Sequence, residues 1–222
     1  MASTTYRPAG PAAAPGVASS GPRAWPGARA ATLPKMAATQ TGIWVGVCAI
    51  FMSFAAFVSA LVVREGSSTD WQHLVLPRVL YINTLVLLGS SYTLEACRRR
   101  FAIGTRQETE PGGATRVSPL PWLYATIMLG GIFVTGQWLA WRTLAAHGFY
   151  LATNPSSSFF YVLTAMHGLH LLGGMAALIH MARRLARSVT STHASALSAT
   201  AIYWHFMGLL WIFLFLVMAI RL

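Results

Sequence analysis

The sequence predicts an all-α integral membrane protein, a bundle of five transmembrane helices. Of its 222 residues, 55% are hydrophobic and only 9% are charged, whereas a soluble domain carries about a quarter charged residues. A helix needs about 20 apolar residues to cross a hydrocarbon core about 30 Å thick. Stretches that reach or approach this length lie at residues 42–63, 79–97, 120–141, 158–182 and 200–220.

The positive charges predict the orientation of these helices. The chain has a net charge of +11 and 16 Lys and Arg residues. Twelve of them lie in the N-terminal segment, the second loop and the fourth loop, and four lie in the first and third loops and at the C-terminus. Because cytoplasmic loops carry an excess of Lys and Arg, we expect the N-terminus in the cytoplasm and the C-terminus outside. The same distribution explains the net charge without a nucleic-acid partner.

The segment before the first span, residues 1–40, is rich in Ala, Pro, Gly and Ser. This composition predicts a disordered cytoplasmic tail, followed by a transmembrane domain over residues 41–222. A mitochondrial transit peptide is the alternative, since the segment contains Arg and lacks acids. Its recurring Pro and Gly disfavour the amphipathic helix of a transit peptide, and it has no apolar core of the secretory type near its start.

Each later span has its own boundary signals. Pro77 precedes the second span, where a proline can start a helix without losing a hydrogen bond. That span carries small polar residues expected to pack against protein: Asn83, Thr84, Ser90, Ser91 and Thr93. Residues 104–118 contain helix-breaking Pro and Gly, and Trp122 and Tyr124 are typical interface anchors of the third span. A serine run after Pro155 opens the fourth span. The fifth span covers residues 200–220. No internal repeat is visible along the chain, which weakens the hypothesis of an inverted-repeat transporter.

The cysteines and acids argue against a catalytic site in this chain. Cys48 and Cys97 form no CxxC motif, so neither a disulfide framework nor a zinc site is indicated. Of the five acids, only Glu95 falls in a span, and we expect it to pair with Arg99 at i,i+4. A proton or cation pump usually needs a carboxylate at mid-membrane. No Walker loop and no GxSxG motif occurs either.

Histidines are the unusual feature of the fourth span. The stretch FFYVLTAMHGLHLLGGMAALIH places His167, His170 and His180 in an apolar helix, and Trp204 and His205 enter the last span. His167 and His170 are three residues apart and project from nearly the same face. Ionisable residues inside a membrane are functional hypotheses by default. Three hypotheses compete for these histidines. They pack helices together, or they contact lipid headgroups or line a short polar path. In the third hypothesis they ligate haem or another metal, with His205 opposing His167 or His170.

Three segments resemble subunit III of the haem–copper respiratory oxidases. These are LYINTLVLLGSSYTLE (80–95), FFYVLTAMHGLHLLGG (159–174) and YWHFMGLLWIFLF (203–215); GIWVGVCAIFMSFAAFVSA (42–60) and GQWLAW (136–141) are weaker matches. The resemblance covers residues 42–222 in the family's order. It implies an accessory five-helix subunit of the bacterial inner membrane that carries no cofactor. The haems and copper of such a complex belong to its partners, oxidase subunits I and II.

The resemblance also implies a role and a set of polar positions. Subunit III holds structural phospholipid and supports the catalytic subunit and its proton uptake, in a complex that reduces O2 and translocates protons. The polar positions that match the family are structural or lipid-contact candidates: Asn83, Gln137, His167, His170, Trp204 and His205. We expect no catalytic, cofactor-binding or metal-ligating residue among them.

Several carboxylates of the family are absent from this chain. The family's acids align with Ile50, Ala140, Ser198 and Gly208. Roles that depend on those acids therefore do not transfer to this chain.

The electron donor stays open at the sequence level. A cytochrome c oxidase is the first expectation, and a quinol oxidase or a complex associated with nitric oxide reductase is the alternative. A haem b-binding membrane anchor using His167 or His170 with His205 is the hypothesis from another class. A small transporter is a third, disfavoured by the lack of mid-membrane charge.

Overall fold

A computed structural model describes residues 35–67, 69, 71, 76–107, 118–151, 154–187 and 193–222. It contains five helices, α1 (Lys35–Ser67), α2 (Val79–Gln107), α3 (Leu120–Ala146), α4 (Pro155–Arg187) and α5 (Ala194–Arg221). No strand occurs within these ranges. The all-α prediction is confirmed for the part of the chain that is described.

Four of the helices are long and apolar enough to cross a membrane: α1 from Thr41 onward, α3, α4 and α5. The protein is therefore a multi-pass membrane protein. The predicted second span, now α2, is not among the four. Its small polar residues and the arginines at positions 98–100 lower its mean hydropathy, so its passage through the membrane stays a prediction.

Every helix is longer than its predicted span. Hydropathy finds the part of a helix that lies in hydrocarbon, whereas backbone hydrogen bonds continue a helix through polar residues beyond it. The predicted tail, residues 1–40, lies mostly outside the described residues. The helix α1 begins inside this range, at Lys35.

Contacts between helices place α5 at the centre of the packing, with α1, α2 and α4 as its neighbours. The most extensive contact is between α2 and α3, and α3 also packs on α4. Two hydrogen bonds give the relative direction of α2 and α5. Thr84, early in α2, bonds Trp211, late in α5, and Ser90, later in α2, bonds the earlier Trp204. These two helices are therefore antiparallel.

Buried positions repeat every seven residues along the helices, the spacing of left-handed helix packing. The helix α1 buries Val47, Phe54 and Leu61, while most of its other residues are exposed. The other helices each show the repeat in a longer series: Leu80, Leu87, Leu94 and Phe101 on α2, Leu123, Gly130, Gln137 and Leu144 on α3, Phe160, His167, Gly174 and Met181 on α4, and Leu197, Trp204, Trp211 and Met218 on α5. One face of each helix thus meets the bundle, and the opposite face is left for lipid or partner protein.

The turn after α3 depends on a glycine. Gly148 has φ 83°, a left-handed conformation that side chains disfavour. Its N–H donates to the Ala145 carbonyl at 3.0 Å, and the Phe149 N–H donates to the Leu144 carbonyl at 3.2 Å. These bonds satisfy carbonyls at the end of α3. The serine run at the start of α4 donates to carbonyls of the preceding loop. Ser157 Oγ donates to the Tyr150 carbonyl at 2.8 Å, and Ser158 Oγ donates to the Leu151 carbonyl.

Candidate functional site

His167 lies at the junction of four helices. Its side chain is completely buried, and three aromatic rings surround it. The centroid of its imidazole lies 6.5 Å from that of Phe54 on α1, 6.0 Å from Phe133 on α3 and 5.1 Å from Trp211 on α5. The seven-residue repeat of α4 points this position into the bundle. The ring therefore fills space as a core aromatic residue does.

The two ring nitrogens of His167 form no hydrogen bond with any described residue. Gln137 on α3 shows the same condition, since neither its amide nitrogen nor its amide oxygen has a partner among those residues. Buried polar atoms are usually paired. Together with Ser156 Oγ, these side chains carry the buried polar atoms that have no partner among the described residues.

His170 occupies a different environment from His167. It is half-buried, its Nδ1 lies 2.7 Å from the Met166 carbonyl oxygen, and its ring lies 5.8 Å from that of Phe54. Because Phe54 contacts both histidines, the prediction that they share one face of the helix is confirmed. Tyr203 on α5 donates to the His170 carbonyl at 2.9 Å, which ties α4 to α5. His180 is exposed and lies outside this cluster.

Two tryptophans of α5 hydrogen-bond the polar face of α2. Trp204 Nε1 donates to Ser90 Oγ at 3.0 Å, and Ser90 in turn donates to the Leu87 carbonyl at 2.7 Å. Trp211 Nε1 donates to Thr84 Oγ1 at 3.1 Å. Each hydroxyl accepts from an indole and donates to its own helix, so both partners are satisfied within the bundle.

The same face of α2 also bonds α3. Asn83 Nδ2 donates to the Phe133 carbonyl at 3.2 Å, and the Thr93 and Thr126 hydroxyls lie 2.9 Å apart. A side chain at Gly136 would overlap Asn83, with a Cβ only 2.8 Å from Asn83 Cγ. The prediction that the small polar residues of α2 pack against protein is thus confirmed.

His205 borders a groove between α2 and α5. The groove has a volume of about 280 Å³, and its lining includes Thr84, Leu88, Ser91 and Leu209. Trp211 also lines it, while the ring of Trp211 contacts His167 on the interior side. His205 thus lines the groove between α2 and α5, whereas His167 lies in the interior ring cluster.

Glu95 forms ion pairs with Arg98 at 3.0 Å and with Arg99 at 3.4 Å. The predicted pair with Arg99 is confirmed, and Arg98 is an additional partner. Within the described ranges, no three His, Cys, Asp or Glu side chains come close enough to hold a metal ion.

The positions at which the resemblance implies carboxylates fall in different surroundings. Ala140 is completely buried in the interior, Gly208 lines the groove beside His205, and Ile50 and Ser198 are half-buried.

Sequence reasoning did not find the residues that organise the site. Phe54, Phe133 and Trp211 form the ring cluster around His167. Phe54 and Trp211 lie in segments that carry the resemblance, but no local signal within these apolar segments distinguishes them from their neighbours, and Phe133 lies outside the quoted segments. The seven-residue spacing from Val47 to Phe54 to Leu61, and from Trp204 to Trp211 to Met218, was the available signal. It is weak in a membrane helix because residues that face lipid are apolar too.

The fold and this interior define the class: a multi-pass helical membrane protein whose buried polar side chains largely serve contacts between its own helices. The family model for cytochrome c oxidase subunit III matches residues 43–221. The chain belongs to this family and is a subunit III of a haem–copper oxidase.

Individual relatives agree with the family match. The chain is 31% identical over 194 residues to the probable cytochrome c oxidase subunit 3 of Mycobacterium tuberculosis, covering 83% of this chain and 87% of that protein. It is 32% identical over 154 residues to cytochrome c oxidase subunit 3 of Corynebacterium diphtheriae, covering 69% and 68%. It is 29% identical over 184 residues to the cytochrome bo(3) ubiquinol oxidase subunit 3 of Pseudomonas aeruginosa, covering 81% and 83%.

Proposed function

We propose that the chain is the accessory, cofactor-free subunit III of a bacterial cytochrome c oxidase in the inner membrane. It stabilises the catalytic subunit and supports its proton uptake, while the haems and copper reside in subunits I and II. The observation that carries this proposal is the match of the cytochrome c oxidase subunit III family model to residues 43–221. The packing of His167 among the rings of Phe54, Phe133 and Trp211 supports a structural role for this histidine.

The electron donor is proposed from the relatives. Those of Mycobacterium tuberculosis and Corynebacterium diphtheriae are named as cytochrome c oxidase subunits, which supports cytochrome c. The relative of Pseudomonas aeruginosa is named as part of a ubiquinol oxidase, which keeps a quinol as the second candidate.

The test is purification of this chain from its native membrane in mild detergent. We expect mass spectrometry to find oxidase subunits I and II, and the complex to oxidise reduced cytochrome c with uptake of O2. Oxidation of a quinol in place of cytochrome c would overturn the donor. Haem absorbance that stays with this chain after its partners are removed would overturn the cofactor-free assignment and favour the haem b anchor.

We also propose that α2 is the fifth transmembrane span, with the N-terminus of the protein in the cytoplasm. Its 29 residues extend about 43 Å at 1.5 Å per residue, longer than a hydrocarbon core of about 30 Å. Its polar residues Asn83, Thr84 and Ser90 bond α3 and α5, which offsets the cost of placing them in lipid. The arginines at positions 98–100 favour the cytoplasmic side for its end.

Structural lipid is the third part of the proposal. The groove between α2 and α5 has mostly apolar walls, with Ser91 and His205 near the end that leads towards Glu95 and its arginines. An acyl chain fits the apolar part, and Arg98 or Arg99 then meets a phosphate headgroup of the cytoplasmic leaflet. This arrangement joins a hydrophobic contact to a charge-assisted one.

A groove-filling variant tests the lipid site. Gly208→Leu adds a side chain beside Ser91, whose Oγ lies 3.4 Å from the position of a Cβ at Gly208. Native mass spectrometry of the purified complex is expected to show one phospholipid fewer. Gly168→Leu is the matched control, because nothing lies within 4 Å of a Cβ at Gly168. An unchanged lipid count in Gly208→Leu would contradict the site.

A further inference from the structure

Gln137 and His167 are two deeply buried polar side chains on neighbouring helices. Gln137 is 5% exposed and His167 is 0% exposed, and all four of their polar side-chain atoms bond to no described residue. Ser156 Oγ shares this condition. It lies about 16 Å from His167 along α4 at 1.5 Å per residue, so it belongs to a different region.

The register of α3 and α4 places Gln137 and His167 at one level. Phe133, one turn before Gln137, contacts the His167 ring at 6.0 Å between centroids. Trp141, one turn after Gln137, donates to Thr164 at 3.0 Å. These two contacts lie on either side of Gln137 along the interface, and Gln137 belongs to the buried face of α3 that carries Phe133 and Ala140. Gln137 therefore lies on the face of α3 that packs against α4, between a contact to His167 and a contact one turn away from it.

The neighbouring polar groups are already engaged. Trp211 Nε1 donates to Thr84, and Thr164 accepts from Trp141 while donating to the Phe160 carbonyl at 2.7 Å. A neutral imidazole keeps one donor and one acceptor, and the Gln137 amide keeps two donors and an acceptor. Because these atoms are buried within this chain, a partner subunit does not reach them.

We propose that Gln137 and His167 hold internal water between them, in a closed polar chamber at the α3–α4 interface. Water is small and both donates and accepts, and a buried water typically makes about two to four hydrogen bonds to polar groups that otherwise lack a partner. The rings of Phe54, Phe133 and Trp211 border the chamber on the His167 side. The water bonds the two helices to each other and fixes their register. This site goes beyond the proposed function and does not depend on which donor the oxidase uses.

The direct test is a structure of the intact oxidase complex at a resolution that shows ordered water. The expected result is solvent density about 2.7–3.2 Å from a polar atom of Gln137 and from a nitrogen of His167. A direct bond between the amide and the imidazole, or the absence of density between them, would overturn the site.

A double-mutant cycle tests the same inference by stability. Gln137→Leu and His167→Phe each leave the other side chain without its bridge, so each is expected to lower the melting temperature of the complex. The double variant removes both polar groups and is expected to lose clearly less than the sum of the single losses. Additive losses would overturn the bridge.

Thr135→Val is the matched control on α3, because Thr135 is exposed and its hydroxyl bonds only the Gly131 carbonyl of its own helix among the described residues. It is expected to leave the melting temperature unchanged. If either single variant fails to assemble, the solvent density in the wild-type complex decides.

Discussion

Trp204 on α5 donates its indole N–H to Ser90 Oγ on α2 at 3.0 Å, and both side chains are completely buried. The two residues belong to two of the segments that carry the family resemblance, LYINTLVLLGSSYTLE and YWHFMGLLWIFLF. The bond therefore joins the two motifs across the bundle. It also gives a polar residue of α2 a partner inside the membrane domain.

Ser90→Ala is expected to destabilise the assembled protein by about 1–3 kcal/mol, because it leaves the buried indole N–H of Trp204 unpaired. Thermal unfolding of the purified complex measures the loss. Ser53→Ala is the control, since the Ser53 hydroxyl is exposed and bonds the Ala49 carbonyl of its own helix. Equal stability of the two variants would argue against the Trp204–Ser90 bond.

Gly130→Ala is expected to lower stability by about 1–3 kcal/mol through overpacking. The added Cβ would lie 2.9 Å from Trp204 Cη2 and 3.3 Å from Cζ2, and a buried indole ring has no flexible end that can yield. The neighbouring Gly131→Ala is the matched control, because nothing lies within 4 Å of its Cβ. It is expected to be neutral or to stabilise the helix by up to about 1 kcal/mol. The reverse order of the two variants would contradict the packing of Trp204 on α3.

His170→Ala is expected to lower the yield and stability of the complex more than the turnover of each assembled complex. The His170 ring packs on Phe54 of α1 and hydrogen-bonds the Met166 carbonyl of its own helix. Loss of the ring therefore weakens the contact between α1 and α4. Assembled complex and O2 consumption per complex are measured on the same preparation. Normal assembly with turnover reduced more than about tenfold, a change of about 1.4 kcal/mol in the activation free energy, would contradict the packing role.

Deletion of residues 1–38 is expected to leave membrane insertion and orientation intact. Eight of the twelve positive charges assigned to the cytoplasmic side lie in the second and fourth loops, and the K/R bias sets orientation. Protease protection or labelling of a cysteine placed after Leu222 reports the side of the C-terminus. A C-terminus that moves to the cytoplasm would show that the deleted segment controls the topology.

The sequence located the helices because hydrocarbon imposes a length and a polarity on every span. Residues 120–141, 158–182 and 200–220 all fall inside observed helices and were recognisable from apolar length alone. The second span was the hardest to recognise by hydropathy, since Asn83, Thr84 and Ser90 make it less apolar. These same residues carried the resemblance, and the structure gives each of them a hydrogen-bond partner.

The histidines show where sequence reasoning ends. Spacing placed His167 and His170 on one face, and both contact Phe54. Spacing did not indicate that one ring would be completely buried among three aromatic rings while the other stayed half-buried beside the Met166 carbonyl. That difference depends on residues far away in the chain, such as Phe133 and Trp211.

The sequence by itself determined the class of protein, the approximate spans and the family, because these follow from composition, apolar length and local motifs. Tertiary structure alone decided which apolar face of each helix meets the bundle and which residues pair across it. The physical reason is that lipid is as apolar as a protein core, so hydrophobicity does not separate the two faces. The two faces are distinguished by close packing, as at Gly130, and by hydrogen bonds between helices, such as that from Trp204 to Ser90. Both arise only when the helices pack against one another.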